Sequence, residues 1–149
     1  MKSYTDLNQV IVDKLKALID GGATIFVDVY SVPETKPIGY PCAFVVESAG
    51  TGSILDTARN EREWQFEVSL AQEISKTGKT PEEASIIMRK IVDKVIDMFD
   101  QDPQLEVSGV QQCMRVKVVP LAFDFTIREQ PFIFARFLVS CVDVVRNYP

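Results

Sequence analysis

The sequence offers few side chains of the kinds that catalyse reactions. It has no histidine among its 149 residues, which excludes Ser-His-Asp and Cys-His arrangements and most catalytic zinc sites. The three cysteines, Cys42, Cys113 and Cys141, are widely spaced in apolar runs and form no Cys-x-x-Cys motif. This pattern is typical of buried, reduced thiols. We therefore expect no catalytic residue, no bound metal and no cofactor, and we interpret the chain as a binding or assembly protein rather than an enzyme.

One group of carboxylates, at the end of a predicted helix, has the chemistry of a cation site. Asp97, Asp100 and Asp102 lie close together in the chain, and hard divalent cations bind carboxylate oxygens. The group lacks the spacing and the glycine of an EF-hand loop. Carboxylates at a helix C-terminus also interact unfavourably with the helix dipole. A solvated acidic helix end is therefore the expected state, and a metal site is the minor alternative.

A second acidic group lies on a predicted strand. Glu61, Glu63 and Glu67 alternate with other residues, so they share one face of that strand. Two interpretations stay open: a solvated face that basic residues on neighbouring strands partly neutralise, or an acidic surface that faces a polyanion which must not stick. The residues that could neutralise the row are Arg115, Lys117 and Arg136.

Composition indicates a single globular domain spanning residues 1–149. Apolar residues make up 46% and charged residues 25%, which is typical of soluble folded chains. The net charge of −5 argues against a nucleic-acid binder, since binding phosphates requires clustered Lys and Arg. No run of apolar residues approaches the roughly 18 needed for a membrane helix. The first ten residues lack the apolar segment of a signal peptide, so we expect the protein in a reducing cytosol unless a larger particle carries it out.

The hydrophobic periodicity predicts two helices and five strands. The first helix covers residues 3–20, with Ser3 as its N-cap and Gly21-Gly22 as its stop. The second runs from Thr80 to about Phe99, with Pro81 at its first position. The predicted strands are 23–30, 42–47, 61–73, 110–120 and 132–145, and the last is apolar on both faces, as in a central strand. The order α-β-β-β-α-β-β predicts an α+β fold, with a largely antiparallel or mixed sheet of about five strands and both helices on one face.

Two long segments between these elements are candidates for contacts with partners. Residues 48–60 form a long exposed loop or a hairpin arm, and residues 121–130 form a loop or hairpin in which aromatic and polar side chains alternate. The aromatic residues either pack under the sheet or form a contact ridge. The strand 61–73 would reach about 43 Å, so part of it is expected to project and pair with something else. The interface candidates are Ile54, Leu55, Asp56, Arg59, Phe123, Phe125, Ile127 and Arg128.

Four features in order give the chain a family resemblance. They are the first helix ending near Gly21, the segment Gly39-Tyr40-Pro41-Cys42-Ala43 entering a strand, Asn60-Glu61-Arg62-Glu63-Trp64-Gln65-Phe66 opening the long strand, and the Glu82-Glu83-Ala84 helix reaching Asp100. Together they resemble the tail terminator (tail-completion) proteins of long-tailed bacteriophages and prophages, a group that includes neighbouring neck proteins. The resemblance spans nearly the whole chain.

The resemblance implies a virion structural protein. Such proteins form a homo-oligomeric ring, commonly a hexamer, at the head-proximal end of the tail tube. The ring ends tube polymerisation and docks the head, so the implied partners are the tail tube protein and a head-completion or connector protein. DNA would pass through the lumen without specific binding, and Glu61, Glu63 and Glu67 are our candidates for an acidic lumen. The protein would occur in the host cytoplasm during assembly and in the virion tail afterwards. The alternatives are another neck or head–tail joining protein, or a small-molecule-binding α+β regulatory domain.

Overall fold

The computed structural model describes residues 3–32, 37–48, 51–54, 59–73, 81–124 and 132–146.

Hydrogen bonds at its N-terminus define where the first helix begins. Helix α1 covers Tyr4–Lys16, and the Ser3 hydroxyl oxygen accepts a hydrogen bond from the Asp6 backbone N–H at 3.1 Å. This confirms Ser3 as the N-cap. The helix ends four residues earlier than the predicted 3–20, with Ala17 at its C-cap.

We predicted that Gly21-Gly22 ends the first helix, but the two glycines instead form the turn of a β-hairpin. Strand β1 (Ile19–Asp20) pairs antiparallel with β2 (Ala23–Thr24), and the two glycines between them have φ of 60° and 85°. Two consecutive residues with positive φ make the turn that suits a two-residue hairpin, and glycine adopts them without strain. The predicted strand 23–30 is therefore divided into β2 and a separate short strand, β3 (Asp28–Tyr30).

The main sheet is mixed and has six strands. Strands β4 (Cys42–Glu47), β5 (Thr51–Ile54) and β6 (Arg59–Glu73) precede the second helix, and β7 (Arg115–Asp124) and β8 (Phe132–Arg146) follow it. The spatial order is β3-β4-β6-β8-β7, with β5 paired to β6. Among these six described strands, only β3 and β4 run parallel. The α+β class with a mixed sheet is confirmed, and so is the central position of β8.

The two longest strands form the spine of the sheet. Strand β6 pairs with β8 from Arg59↔Arg146 to Glu73↔Phe132, and its other edge is occupied first by β5 and then by β4. Along its described length β6 thus finds its partners within the chain. Of the two alternatives for residues 48–60, the hairpin arm is correct, since β5 folds back on β6.

Helix α2 (Pro81–Gln101) and α1 cover the same face of this sheet. The Tyr4 ring meets the Phe66 ring edge-on at 5.6 Å, and the Asn8 amide donates to the Val45 carbonyl oxygen at 3.0 Å. The apolar stripe of α2 joins the same core. The buried side chains on the three long elements are Ala84, Met88, Ile91, Val92, Val95 and Phe99 of α2, Trp64, Phe66, Val68 and Leu70 of β6, and Ile133, Ala135, Phe137, Val139 and Cys141 of β8. Neither described helix has the length and apolar character needed to cross a membrane.

Strand β7 begins later than predicted. Residues 110–114 belong instead to a loop in which Ser108 and Gly109 have positive φ and Val107 forms an isolated bridge with Val110. The strand then runs to Asp124, through four residues that we expected in a loop or hairpin. Pro120 is tolerated because β7 is an edge strand, and a bulge follows it.

Candidate functional site

One face of the sheet is left uncovered by the two helices. Successive residues of a strand point to opposite faces, so Trp64, Phe66 and Val68 face the helices while Glu63 and Gln65 face away. We call this second surface the open face. Its β6 positions are half-buried rather than buried, in contrast to the fully buried Phe66 and Val68. The open face therefore presents a half-buried row of β6 side chains that the helices do not cover.

The acidic row lies on the open face, and part of it is neutralised. Arg136 on β8 pairs with Glu67 at 3.2 Å between Nη1 and Oε1. The Gln65 side-chain amide donates to Glu63 at 3.1 Å. Basic side chains on β7 share the face, because Arg115 lies opposite Val142 and Lys117 opposite Ser140. The three candidate glutamates thus do share one face, and that face carries charges of both signs.

An aromatic cluster covers one end of the open face. Tyr30 stacks on Phe44 at 5.4 Å, Tyr40 lies 5.2 Å from Phe132, and Phe132 lies 6.0 Å from Phe134, measured between ring centroids. Burial raises the pKa of the Tyr40 hydroxyl, and the neighbouring Cys42, Glu73 and Tyr30 raise it further. The surroundings of Tyr40 therefore favour its neutral phenol form.

Backbone packing explains the Gly-Tyr-Pro segment that enters β4. A Cβ on Gly39 would lie 2.8 Å from the Val27 side chain, so the close approach requires glycine. The Pro41 carbonyl oxygen accepts a hydrogen bond from the Val27 N–H at 2.8 Å. The segment thus fastens the chain before β3 to the start of β4, which is a structural role rather than a chemical one.

The three cysteines are buried thiols that form no disulfide, as predicted. Burial, together with the negative charge of Asp28, raises the pKa of Cys42 to about 11. A hydrogen bond with the Cys113 thiol and burial raise the pKa of Cys141. A thiol is nucleophilic only as the thiolate, so these groups are inert near neutral pH.

The acidic end of α2 is only partly solvated, which corrects our expectation for Asp102. Its carboxylate lies 2.6 Å from the Lys14 ammonium of α1 and accepts the Glu106 backbone N–H at 2.9 Å. Burial opposes ionisation of Asp102, but these two partners outweigh it and lower its pKa. Asp102 thus ties α1 to the loop after α2, whereas Asp97 and Asp100 are exposed. Within the described residues, no group of three or more Cys, Asp or Glu side chains is arranged to hold a metal ion.

The exposed large apolar side chains concentrate in two segments of the chain, one around each edge strand of the main sheet. Within the described residues, all of them except Ile86 fall in segment 19–38, which contains the edge strand β3, or in segment 107–121, which leads into and forms the edge strand β7. We call the two sets the β3 strip and the β7 strip. The β3 strip comprises Val27, Val32 and Ile38, with Ile19 nearby in the chain; the β7 strip comprises Val107, Val110, Met114, Val119 and Leu121.

Ile38 is the most exposed member of the β3 strip at 84%, and Val110 is the most exposed of the β7 strip at 61%. Single exposed apolar residues are ordinary, but groups on unpaired sheet edges are typical of contact surfaces. Sequence reasoning missed both strips, because which strands become edges depends on the order of strands in the sheet.

The interface candidates predicted from the sequence fall into two groups, which lie near opposite ends of β8. Arg59 opens β6 opposite Arg146, near Ile54 in β5, while Phe123 in β7 lies opposite Ala135. Eleven residues of extended strand separate these positions, which is about 37 Å. The structure therefore does not bring the two groups together. The candidates outside the described residues are Leu55, Asp56, Phe125, Ile127 and Arg128.

The comparisons with known proteins do not assign a family. No protein-family model matches the chain, and no curated protein matches it in sequence.

Proposed function

We propose that this protein is a structural component of a long-tailed phage virion that forms a ring at the head-proximal end of the tail tube. There it ends tube polymerisation and provides the surface that docks the head. The proposal starts from the family resemblance of the Gly39–Ala43 and Asn60–Phe66 segments. The observation that carries it is the pair of apolar strips in the segments that flank or form the two edge strands of one sheet.

Two different contact strips on opposite sides of a subunit favour head-to-tail association. A contact that joins one strip to the other strip of the next copy is heterologous, and it generates a ring when the rotation between copies closes. A two-fold dimer would instead use one strip twice. Strand β7 carries Lys117, Pro120 and a bulge, which are the devices that prevent open-ended pairing of edge strands. The contact we propose is therefore side-chain packing between strips.

The two ends of the sheet fit contacts along the axis of such a ring. The candidates near Arg59 and those near Phe123 lie about 37 Å apart along β8. One end would face the tail tube protein and the other the head-completion or connector protein. A protein that must join two unlike partners needs two separate surfaces, and this separation supplies them.

A complementation experiment tests head-to-tail association. Ile38→Asp places a charge in the β3 strip, and Val110→Asp places one in the β7 strip. Each variant alone should remain monomeric in native mass spectrometry at about 100 µM, a concentration at which weak specific association is detectable. Mixed in equal amounts, the two should form a heterodimer through the one intact strip on each. The control is Ile86→Asp, since Ile86 is 45% exposed on α2 and belongs to neither strip. Association that survives both substitutions, or a mixture that stays monomeric while the wild type assembles, would contradict the proposal.

Another neck protein would form a similar ring at a different station. Labelling the protein on purified virions and locating the label by electron microscopy distinguishes these two assignments. A label on the tail side of the neck supports the terminator assignment, and a label on the portal side supports the alternative.

A further inference from the structure

A crevice lies between α2 and the β1–β2 hairpin, next to the β3 strip, since the Pro41 carbonyl oxygen accepts the Val27 N–H and Pro41 lines the crevice. Its volume is about 270 Å³, far above the roughly 15 Å³ that a single water needs. Apolar side chains make up much of its lining, with Ile25 and Pro41 on one side and Ile87 and Ile91 of α2 on the other. The crevice thus offers an apolar body room to bind.

Gln72, near the end of β6, contributes an unpaired hydrogen-bond acceptor to the lining of this crevice. It lines the crevice, is only 2% exposed, and donates from its side-chain amide to the Glu73 carbonyl oxygen at 3.1 Å. Within the described part of the chain, its Oε1 atom has no hydrogen-bond donor. An unpaired buried acceptor is destabilising, so a ligand that places an N–H donor beside this oxygen would form a hydrogen bond that the unliganded chain lacks.

Two lysines from one face of α2, Lys90 and Lys94, contribute to the lining of the crevice. Asp20 lies 3.9 Å from Lys94 and offsets part of that charge. Lys90 has no ion pair within the described residues, so it is the free cation in this lining. This charge distribution favours an anionic ligand.

We propose that this crevice binds a small organic carboxylate whose aliphatic body carries an N–H group beside the acid. This is the chemistry of an N-acyl amino acid or of the last residue of a peptide. The carboxylate meets Lys90, the N–H donates to Gln72 Oε1, and the aliphatic group packs on Ile87 and Ile91. The inference does not depend on ring formation.

Binding of N-acetyl-L-leucine, measured by NMR titration of the full chain, tests the site. We expect saturable binding that Lys90→Ala weakens about fivefold, the upper range for an exposed ion pair. Lys117→Ala, which removes a lysine from the open face, should leave the affinity unchanged. Gln72→Met keeps the side-chain length and removes the acceptor. It should weaken N-acetyl-L-leucine but not 4-methylpentanoate, which has the same aliphatic group and acid without the N–H.

The rise in Tm that N-acetyl-L-leucine causes gives a second readout. It is measured against the unliganded Tm of each protein, because Gln72→Met also removes the hydrogen bond to the Glu73 carbonyl oxygen. The rise should be smaller for Gln72→Met than for the wild type. An equal rise in both proteins, a loss of affinity for both probes alike, or the absence of saturable binding would overturn the proposal. A peptide ending in leucine then identifies the source of the ligand. Affinity tenfold tighter than that of N-acetyl-L-leucine assigns the crevice to a protein C-terminus, and equal affinity assigns it to a free small molecule.

Discussion

Neutralising Asp102 should loosen the attachment of α1 to the loop after α2. Asp102→Asn keeps the shape of the side chain and an oxygen that can accept the Glu106 N–H, but it removes the charge that faces Lys14 at 2.6 Å. A hydrogen bond to a charged group contributes about 1.5–3 kcal/mol. The pair is about one quarter exposed on each side, so solvent reduces that value. We expect a loss of about 1–2 kcal/mol in the free energy of unfolding, or a fall in Tm of roughly 3–7 °C for a chain of this size.

The pH dependence of this loss follows from the lowered pKa of Asp102. A carboxyl group whose pKa is lower in the folded state stabilises the fold above its unfolded value, near 3.8, and that contribution is lost as the pH falls through the folded pKa. The difference between wild type and variant should therefore be constant from pH 7 to pH 5 and shrink below pH 4. Urea unfolding followed by circular dichroism measures it, with Asp97→Asn as the exposed control. A difference below 0.3 kcal/mol at pH 7, or one that persists undiminished at pH 3, would refute the reasoning.

Three other predictions concern the core, the thiols and the open face. Trp64→Ala should lower the free energy of unfolding by about 3–5 kcal/mol, because Trp64 is packed in the core and only 9% exposed. An unchanged midpoint of urea unfolding would contradict this packing. Iodoacetamide at pH 8 should alkylate Cys42 about 100-fold more slowly in the folded chain than in the unfolded chain, because folding raises the pKa of the thiol from 9.0 to about 11. Equal rates would show that the folded chain leaves the thiol accessible and ionised. If Glu61, Glu63 and Glu67 line the lumen, their triple change to Lys should leave ring formation intact and slow genome ejection in a salt-dependent way. Normal ejection from particles that carry intact variant rings would place them elsewhere.

The sequence predicted an element correctly where its residue pattern is compatible with a single type of secondary structure. Strand β4 matches the predicted 42–47 at both ends, and the alternation around Trp64 identified the core side of β6. Gly21-Gly22 misled because glycines with positive φ end helices and also turn hairpins, and the apolar stripe continued into Leu18 and Ile19. The pairing partner of Ile19 decides between these two outcomes, and it is a tertiary feature.

The candidate surfaces were less predictable, for a related reason. The sequence placed the three glutamates on one face correctly, because that follows from the alternation within a single strand. The exposure of Ile38 and Val110 depends on how the segments next to the edge strands β3 and β7 pack against the rest of the chain, which no local pattern specifies. Gln72 did leave a signal: it is a polar residue at a core-facing position of β6, continuing the series of Trp64 and Leu70.

Electron microscopy of tail tubes assembled in vitro tests the central proposal most directly. Tube protein from the same phage would be polymerised with and without this chain, and the tube ends and lengths compared. We predict a ring on one end of each tube and an end to growth at that end, with both effects absent for the Val110→Asp variant. Tubes that grow unchanged from both ends, with no added density at either end, would contradict the account.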